Sequence, residues 1–173
     1  MVQLAAPRTY RIREIAPDDR DALLRFYDGL SPESRQARFH GAAPQVGAPA
    51  VAYFCGPDHA HREGLVAEAL DEGGRTTIIG HICLEPLGPG TAEMAIAVAD
   101  GWQRRGVGRA LLAAAASWAR AHGIETLSAS MLWGNASVLA LVRSMGRPVT
   151  FGASDGGTVE ALVRIGDALP SAA

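Results

Sequence analysis

Lysine is absent: all 16 basic residues among the 173 are arginine. The chain therefore offers no lysine ε-amine for modification, and the Gly-Lys-Ser/Thr of a P-loop cannot form. Cysteine is scarce. Cys55 and Cys83 have no metal-ligand spacing, lie in apolar surroundings and read as reduced, buried thiols. A basic excess is missing too: 16 basic against 18 acidic residues leaves a net charge of −2 and a pI near 6.2. That balance argues against a general nucleic-acid binder. The longest nearly continuous apolar run, residues 110–119, is too short to cross a bilayer. The N-terminus lacks the charged segment and apolar core of a signal peptide. A cytoplasmic protein with no membrane partner is expected. His59 and His61 stand two apart in a loop and supply at most two ligands, fewer than a zinc site needs, so no metal is expected.

What is present is ordinary globular composition, 48% apolar and 20% charged, with 32 alanines. The length suits one domain spanning residues 1–173. Residues 9–16 alternate apolar and polar side chains and predict a strand. Pro17-Asp18-Asp19 opens a helix over 20–30, and Ser31-Pro32 caps and starts a second one through Phe39. Residues 40–57 read as a long loop with a helical turn at 50–54. Strands over 64–70, 76–87 and 91–99 follow, joined by turns at 71–74 and 88–90, as an antiparallel meander. In 106–122, Val107, Ala110, Leu111, Ala114, Ala115 and Trp118 share one helical face, ended by Gly123. A strand over 126–131, a helix from Asn135 to Gly146 and a hairpin of 149–151 with 158–164 complete the chain. The order predicts an α/β domain: a central, mixed, mostly antiparallel sheet of about seven strands flanked by about four helices.

One segment carries chemistry. Gln103-Arg104-Arg105-Gly106-Val107-Gly108-Arg109 joins a strand to the strongest helix. Arginine is unfavourable at the positive end of a helix dipole, and glycine weakens helix initiation. Both choices make sense if an anion binds there. Backbone N–H groups without a Cβ beside them can approach phosphate oxygens, and arginines add charge-assisted hydrogen bonds. A dinucleotide fingerprint would need a third glycine where Leu111 stands, and a βαβ setting in place of a meander.

This Gln-x-x-Gly-x-Gly turn resembles the acetyl-CoA pyrophosphate loop of the GNAT N-acetyltransferases. The strand around Ala92–Val98 and the Asn135…Gly146 helix resemble their counterparts in that family, and the likeness covers about residues 9–165. Leu30-Ser31-Pro32-Glu33-Ser34-Arg35, Arg38-Phe39 and Asp155–Glu160 resemble Pat-type bacterial protein lysine acetyltransferases. The resemblance implies a GNAT fold and binding of acetyl-CoA. Backbone groups of Ile96, Ala97 and Val98 would meet the pantetheine arm beside a splay in the sheet. Gln103, Arg104, Arg105, Gly106, Val107, Gly108 and Arg109 would hold the pyrophosphate, and Asn135, Ser137 and Val138 would form the other wall.

Amine acetylation needs a base for the ammonium and donors for the thioester oxyanion. Glu93 is the expected base, by resemblance and because it alternates with the small Ala95 and Ala97. His81 and Glu85 on the neighbouring strand are reserve bases. Many family members carry a tyrosine acid seven residues after the helix asparagine. Here that position is Val142, with Ser137 and Ser144 the nearby hydroxyls; Pat-type relatives commonly lack the tyrosine too. Phe39 and Tyr53 are candidate acceptor walls. The expected activity is acetyl transfer from acetyl-CoA to an amine, foremost a protein lysine. A small-molecule, aminoglycoside-like amine and a non-catalytic acyl-CoA-sensing module are the alternatives. Many relatives are dimers, so a homodimer is among the assemblies the resemblance implies.

Overall fold

The computed structural model describes residues 9–40, 45–70 and 75–166. The elements run β1 (Tyr10–Glu14), α1 (Arg20–Asp28), α2 (Pro32–Phe39), α3 (Ala48–Phe54), β2 (Glu63–Leu70), β3 (Thr76–Gly88), β4 (Thr91–Val98), α4 (Val107–Ala121), β5 (Thr126–Leu132), α5 (Ala136–Arg143), β6 (Val149–Asp155) and β7 (Thr158–Arg164). The strands form one sheet in the order β1-β2-β3-β4-β5-β7-β6. Every pairing is antiparallel except β4 with β5.

Local signals set most boundaries. Ser31 Oγ accepts from Ser34 N–H, and Asn135 Oδ1 accepts from Val138 N–H, so each caps the helix it precedes. Gly123 and Gly146 follow helix ends with φ of +74° and +67°, where a side chain would be strained. Two expectations change. The helical turn expected at 50–54 is present and begins earlier, as the seven-residue α3, so five α-helices rather than about four are present among the described residues. Gly47 stands at its N-cap, Pro49 in its first turn, and Val51 is buried against the α1 side of the core. In the final hairpin β6 continues to Asp155, leaving Gly156 and Gly157, both at positive φ, as the turn. A register shift between Phe151 and Ser154 absorbs the extra length. The turn expected at 71–74 lies outside the described residues.

The sheet has two apolar faces. Leu65, Ile82, Leu84, Met94, Leu127 and Val163 pack on the α4 side against Leu111, Leu112, Ala115 and Ala119. Gly80 on β3 lets α4 lie close: a Cβ there would come within 2.9 Å of Leu111 Cδ1. The other face carries Ile15, Leu23, Phe26, Tyr27, Val51, Cys55 and Val66. The parallel β4–β5 pairing covers only Thr91–Glu93 against Thr126–Ser128, although β4 runs on to Val98 and β5 to Leu132. Beyond Glu93 the two strands part, and the sheet opens.

Candidate active site

The opening between β4 and β5 is the floor of a cleft of about 870 Å³. Ile96, Ala97 and Val98 line one wall; Leu132, Trp133, Asn135, Ser137, Val138 and Leu141 line the other. The start of α4 closes one end. Gly106 is its N-cap at φ +87°, Arg104 adopts φ +58°, and the first intrahelical bond is Ala110 N–H to Gly106 O at 3.0 Å. The N–H groups of residues 107–109 therefore have no helical partner, and the first turn holds no acid to compete for them. A Cβ on Gly108 would stand 3.6 Å from both Leu141 and Val98, filling the space between the walls. Arg104 and Arg109 line the cleft. Open N–H groups and arginines at one end, with mostly apolar walls beyond, can take an anionic group carried on an apolar arm.

Eleven of the thirteen residues assigned to cofactor binding line this cleft: Ile96, Ala97, Val98, Gln103, Arg104, Gly106, Gly108, Arg109, Asn135, Ser137 and Val138. Val107 sends its side chain into the core, where it is 1% exposed, so only its backbone faces the loop. Arg105 is exposed and outside the lining. Gln103 does structural work: its amide donates to Ser34 Oγ at 3.0 Å and Val98 O at 3.1 Å. Asp100 accepts from Ser31 N–H, Ser31 Oγ and Ser34 Oγ at 2.7–2.9 Å. Burial works to raise the Asp100 pKa, but these bonds outweigh it and hold the carboxyl below its usual value. Together Asp100 and Gln103 fasten the N-terminus of α2 to the end of β4.

Where the strands part, a second cavity of about 240 Å³ opens beside α2. Glu93, Arg38, Phe39, His40 and Ser130 line it. Glu93 is half-buried and pairs in register with Glu85 on β3 and Ser128 on β5. Ser128 donates to Glu160 at 2.5 Å, fixing the β5 side of the fork. The Arg38 guanidinium lies over the Phe39 and Phe54 rings, donates to Cys83 Sγ at 3.4 Å, and keeps a buried, unpartnered Nε. His40 ends α2 at φ +52°; burial, then Arg38, lowers its pKa, with Glu93 opposing. The sequence reading missed Arg38 as a charge beside Glu93, and missed His40 altogether. Its only sequence signal was its place after the last residue of the capped helix.

The reserve bases are otherwise engaged. His81 is fully buried with Nδ1 2.8 Å from Tyr27 Oη, and burial, with Arg38 adding, drives its pKa down to about 3. It is neutral and closed to solvent. Glu85 is held by Arg62 at 2.8 Å and by Tyr53 Oη at 2.9 Å. Phe39 lines the smaller cavity; Tyr53 lines neither and is occupied with Glu85 and Arg62. Val142 is fully buried, and the Ser144 hydroxyl donates to Leu141 O at 2.6 Å. Cys83 is buried and its thiol pushed up, and burial moves Cys55 to about 11, so neither offers a thiolate. No helix among the described residues is long and apolar enough to cross a membrane.

The acetyltransferase (GNAT) family model matches residues 22–146. The GNAT domain of S. lividans PAT is 32% identical, with 90% of each chain covered and a TM-score of 0.78. The putative acetyltransferase yncA from Salmonella typhimurium, whose structure holds acetyl-CoA, is 19% identical over 95% of this chain and 98% of its own, TM-score 0.71. A phosphinothricin acetyltransferase from Sinorhizobium meliloti, in complex with AcCoA, is 19% identical over 92% and 90%, TM-score 0.71. With the forked sheet, the open helix N-terminus and these matches together, the chain belongs to the GNAT acetyltransferase family, N-acetyltransferases that use acetyl-CoA.

Proposed function

We propose that this protein acetylates a protein lysine side chain, with Glu93 as the base. The observation that carries the reading is the position of Glu93: it is the last paired residue before β4 and β5 separate, and it lines the cavity beside the large cleft. The residues that would hold acetyl-CoA are Arg104, Arg109 and the N–H groups of 107–109 for its phosphates, and the edge of β4 at Ile96–Val98 with Asn135, Ser137 and Val138 for its arm. Arg105 and Val107 belong to the same loop, Arg105 at its outer surface and Val107 through its backbone. Bound there, acetyl-CoA supplies an acetyl thioester to the fork.

An acceptor amine entering the smaller cavity meets Glu93 and Arg38. The carboxylate takes the proton that an ammonium must lose before it can attack. The Arg38 cation disfavours a second positive charge nearby, which further favours the neutral amine. Glu93 is the one acid in that lining, and Arg38 and His40 are the other titratable groups. A polycationic acceptor of the aminoglycoside kind finds no acidic pocket there, whereas a single amine on a slender aliphatic stem fits. The leaving group is a thiolate, far less basic than an amide or alkoxide ion, so its departure does not require a positioned acid. Burial of Val142 where many relatives have tyrosine is therefore compatible with turnover.

The test is acetyl transfer from labelled acetyl-CoA to lysine-containing protein and peptide substrates beside a panel of small amines. Transfer to lysine side chains with kcat/KM at least tenfold above every small amine is expected. Preference for a small amine would move the acceptor class to the alternative. Cofactor binding without transfer to any acceptor would leave the sensing module.

A further inference from the structure

A second polar cluster lies on the α4 side of the sheet, the face opposite Glu93. Glu14 ends β1, Glu63 begins β2, and His59 sits in the loop before it; each brings one donor atom within 4.8 Å of the other two. The Trp118 indole N–H donates to His59 O at 3.3 Å, holding the loop against α4. Glu63 is 2% exposed. Its Oε1 meets His59 Nδ1 at 2.7 Å and accepts Gly64 N–H at 2.7 Å, while Oε2 is buried with no partner. A buried carboxylate oxygen left unsatisfied is costly, and the half-exposed imidazole is its one ion-pair partner among the described residues.

We propose that Glu14, His59 and Glu63 form a binding site for one first-row divalent cation of the zinc type. One imidazole and two carboxylates are a donor set that zinc accepts. Two carboxylates balance a dication, so the buried charge of Glu63 is neutralised. Bonds of about 2.0–2.2 Å in a tetrahedron place donors roughly 3.4 Å apart, within the spread seen here. The His59–Glu63 hydrogen bond opens by less than about 1 Å to admit the ion, and water fills the fourth position. Magnesium, which demands an octahedron of oxygens, does not suit the set. The sequence reading counted His59 with His61, but the fold turns His61 to Asp58, at 2.9 Å, and His59 to Glu63. The ion would tie β1, β2 and the loop that enters β2 together. The same loop ends in Arg62, which holds Glu85 and Tyr53 on the opposite face.

The test uses the purified full chain, stripped with EDTA, exposed to zinc alone and dialysed. Retained metal is counted by mass spectrometry and the unfolding midpoint is recorded. One zinc per chain is expected, with Tm raised by roughly 5–10 °C when free zinc is about a hundred times Kd. His61→Ala keeps both effects, whereas His59→Ala loses them. Glu14→Gln, at an exposed position that leaves the fold intact, weakens retention at least tenfold. No zinc retained by the unaltered chain, or equal retention by His59→Ala and Glu14→Gln, overturns the site, and both readouts are independent of acetyl transfer.

Discussion

Replacing Glu93 by glutamine removes the proposed base while keeping shape and hydrogen-bonding reach at the fork. The size of the effect follows from the acceptor. A lysine ammonium with pKa near 10.4 is neutral in about one molecule in a thousand at pH 7.4. Positioned general bases contribute about 10²–10⁴-fold. The variant should therefore lose roughly 10²–10³ in kcat/KM for the lysine substrate at pH 7.4. Its rate should then climb about tenfold per pH unit as the free amine itself appears, closing most of the gap by about pH 10. The wild type should level off well before. Glu93 lines the smaller cavity and not the large cleft, so acetyl-CoA affinity measured by calorimetry should change less than twofold. Full activity of Glu93→Gln across the pH range would refute the assignment. A loss of the same size at every pH, accompanied by weaker acetyl-CoA binding, would refute it differently, by making Glu93 a structural residue.

Arg104→Ala and Arg109→Ala should each raise the Kd for acetyl-CoA about tenfold, while Arg105→Ala changes it less than threefold; calorimetric titration ranks them, and a dominant Arg105 would contradict the cleft geometry. Asp100→Ala removes three bonds that anchor α2 and should lower stability by roughly 1–3 kcal/mol in urea unfolding, with kcat falling as Arg38 and His40 lose their placement. Arg13 bridges Asp19, at 2.7 Å, and the buried Glu68, so Arg13→Ala should cost roughly 2–3 kcal/mol at pH 7. Both carboxyls lie below their usual pKa: hydrogen bonding from Arg13 is the largest influence on Asp19, and in Glu68 burial works to raise it but is outweighed by hydrogen bonds from Arg13 and Arg11. Their contribution is present above the unfolded carboxyl pKa, near 4, and is lost as pH falls through the lowered native values. Acid unfolding curves should therefore be shallower for Arg13→Ala.

Much of this arrangement is legible in the chain because it is written locally. Ser31-Pro32 and Asn135 are caps whose side chains act within three residues, and the apolar stripe of α4 is a periodicity. The anion loop was legible because two glycines and three arginines are poor choices for a helix start unless something binds there. What stayed hidden depends on distance in sequence. Gln103 belongs to the loop motif, yet its amide is spent on Val98 O and Ser34, a residue 69 positions away. Of α3 only the turn at 50–54 was legible; its start at Ala48 lies among Gly, Ala and Pro that read as loop, and Val51 joins Tyr27 and Leu23 in one buried cluster. Glu63 gave no sign of burial, because the loop at His59 that lies on it is held there by Trp118 of α4, some fifty-five residues later.

The same dependence explains why the proposed acceptor cavity needs α2 where it is. The fork in the sheet, by itself, places Glu93 beside an open groove, where water would keep an ammonium charged. Arg38, Phe39 and His40 convert the groove into a cavity, and they come from the last turn of a helix whose first turn is held by Asp100. Asp100 in turn lies between β4, which carries Glu93, and the loop that begins the anion cradle. One carboxylate thus links the α4 end of the cleft to the wall of the smaller cavity. A substitution there should move kcat and acetyl-CoA affinity together, whereas changes at Glu93 or at Arg109 should move one without the other.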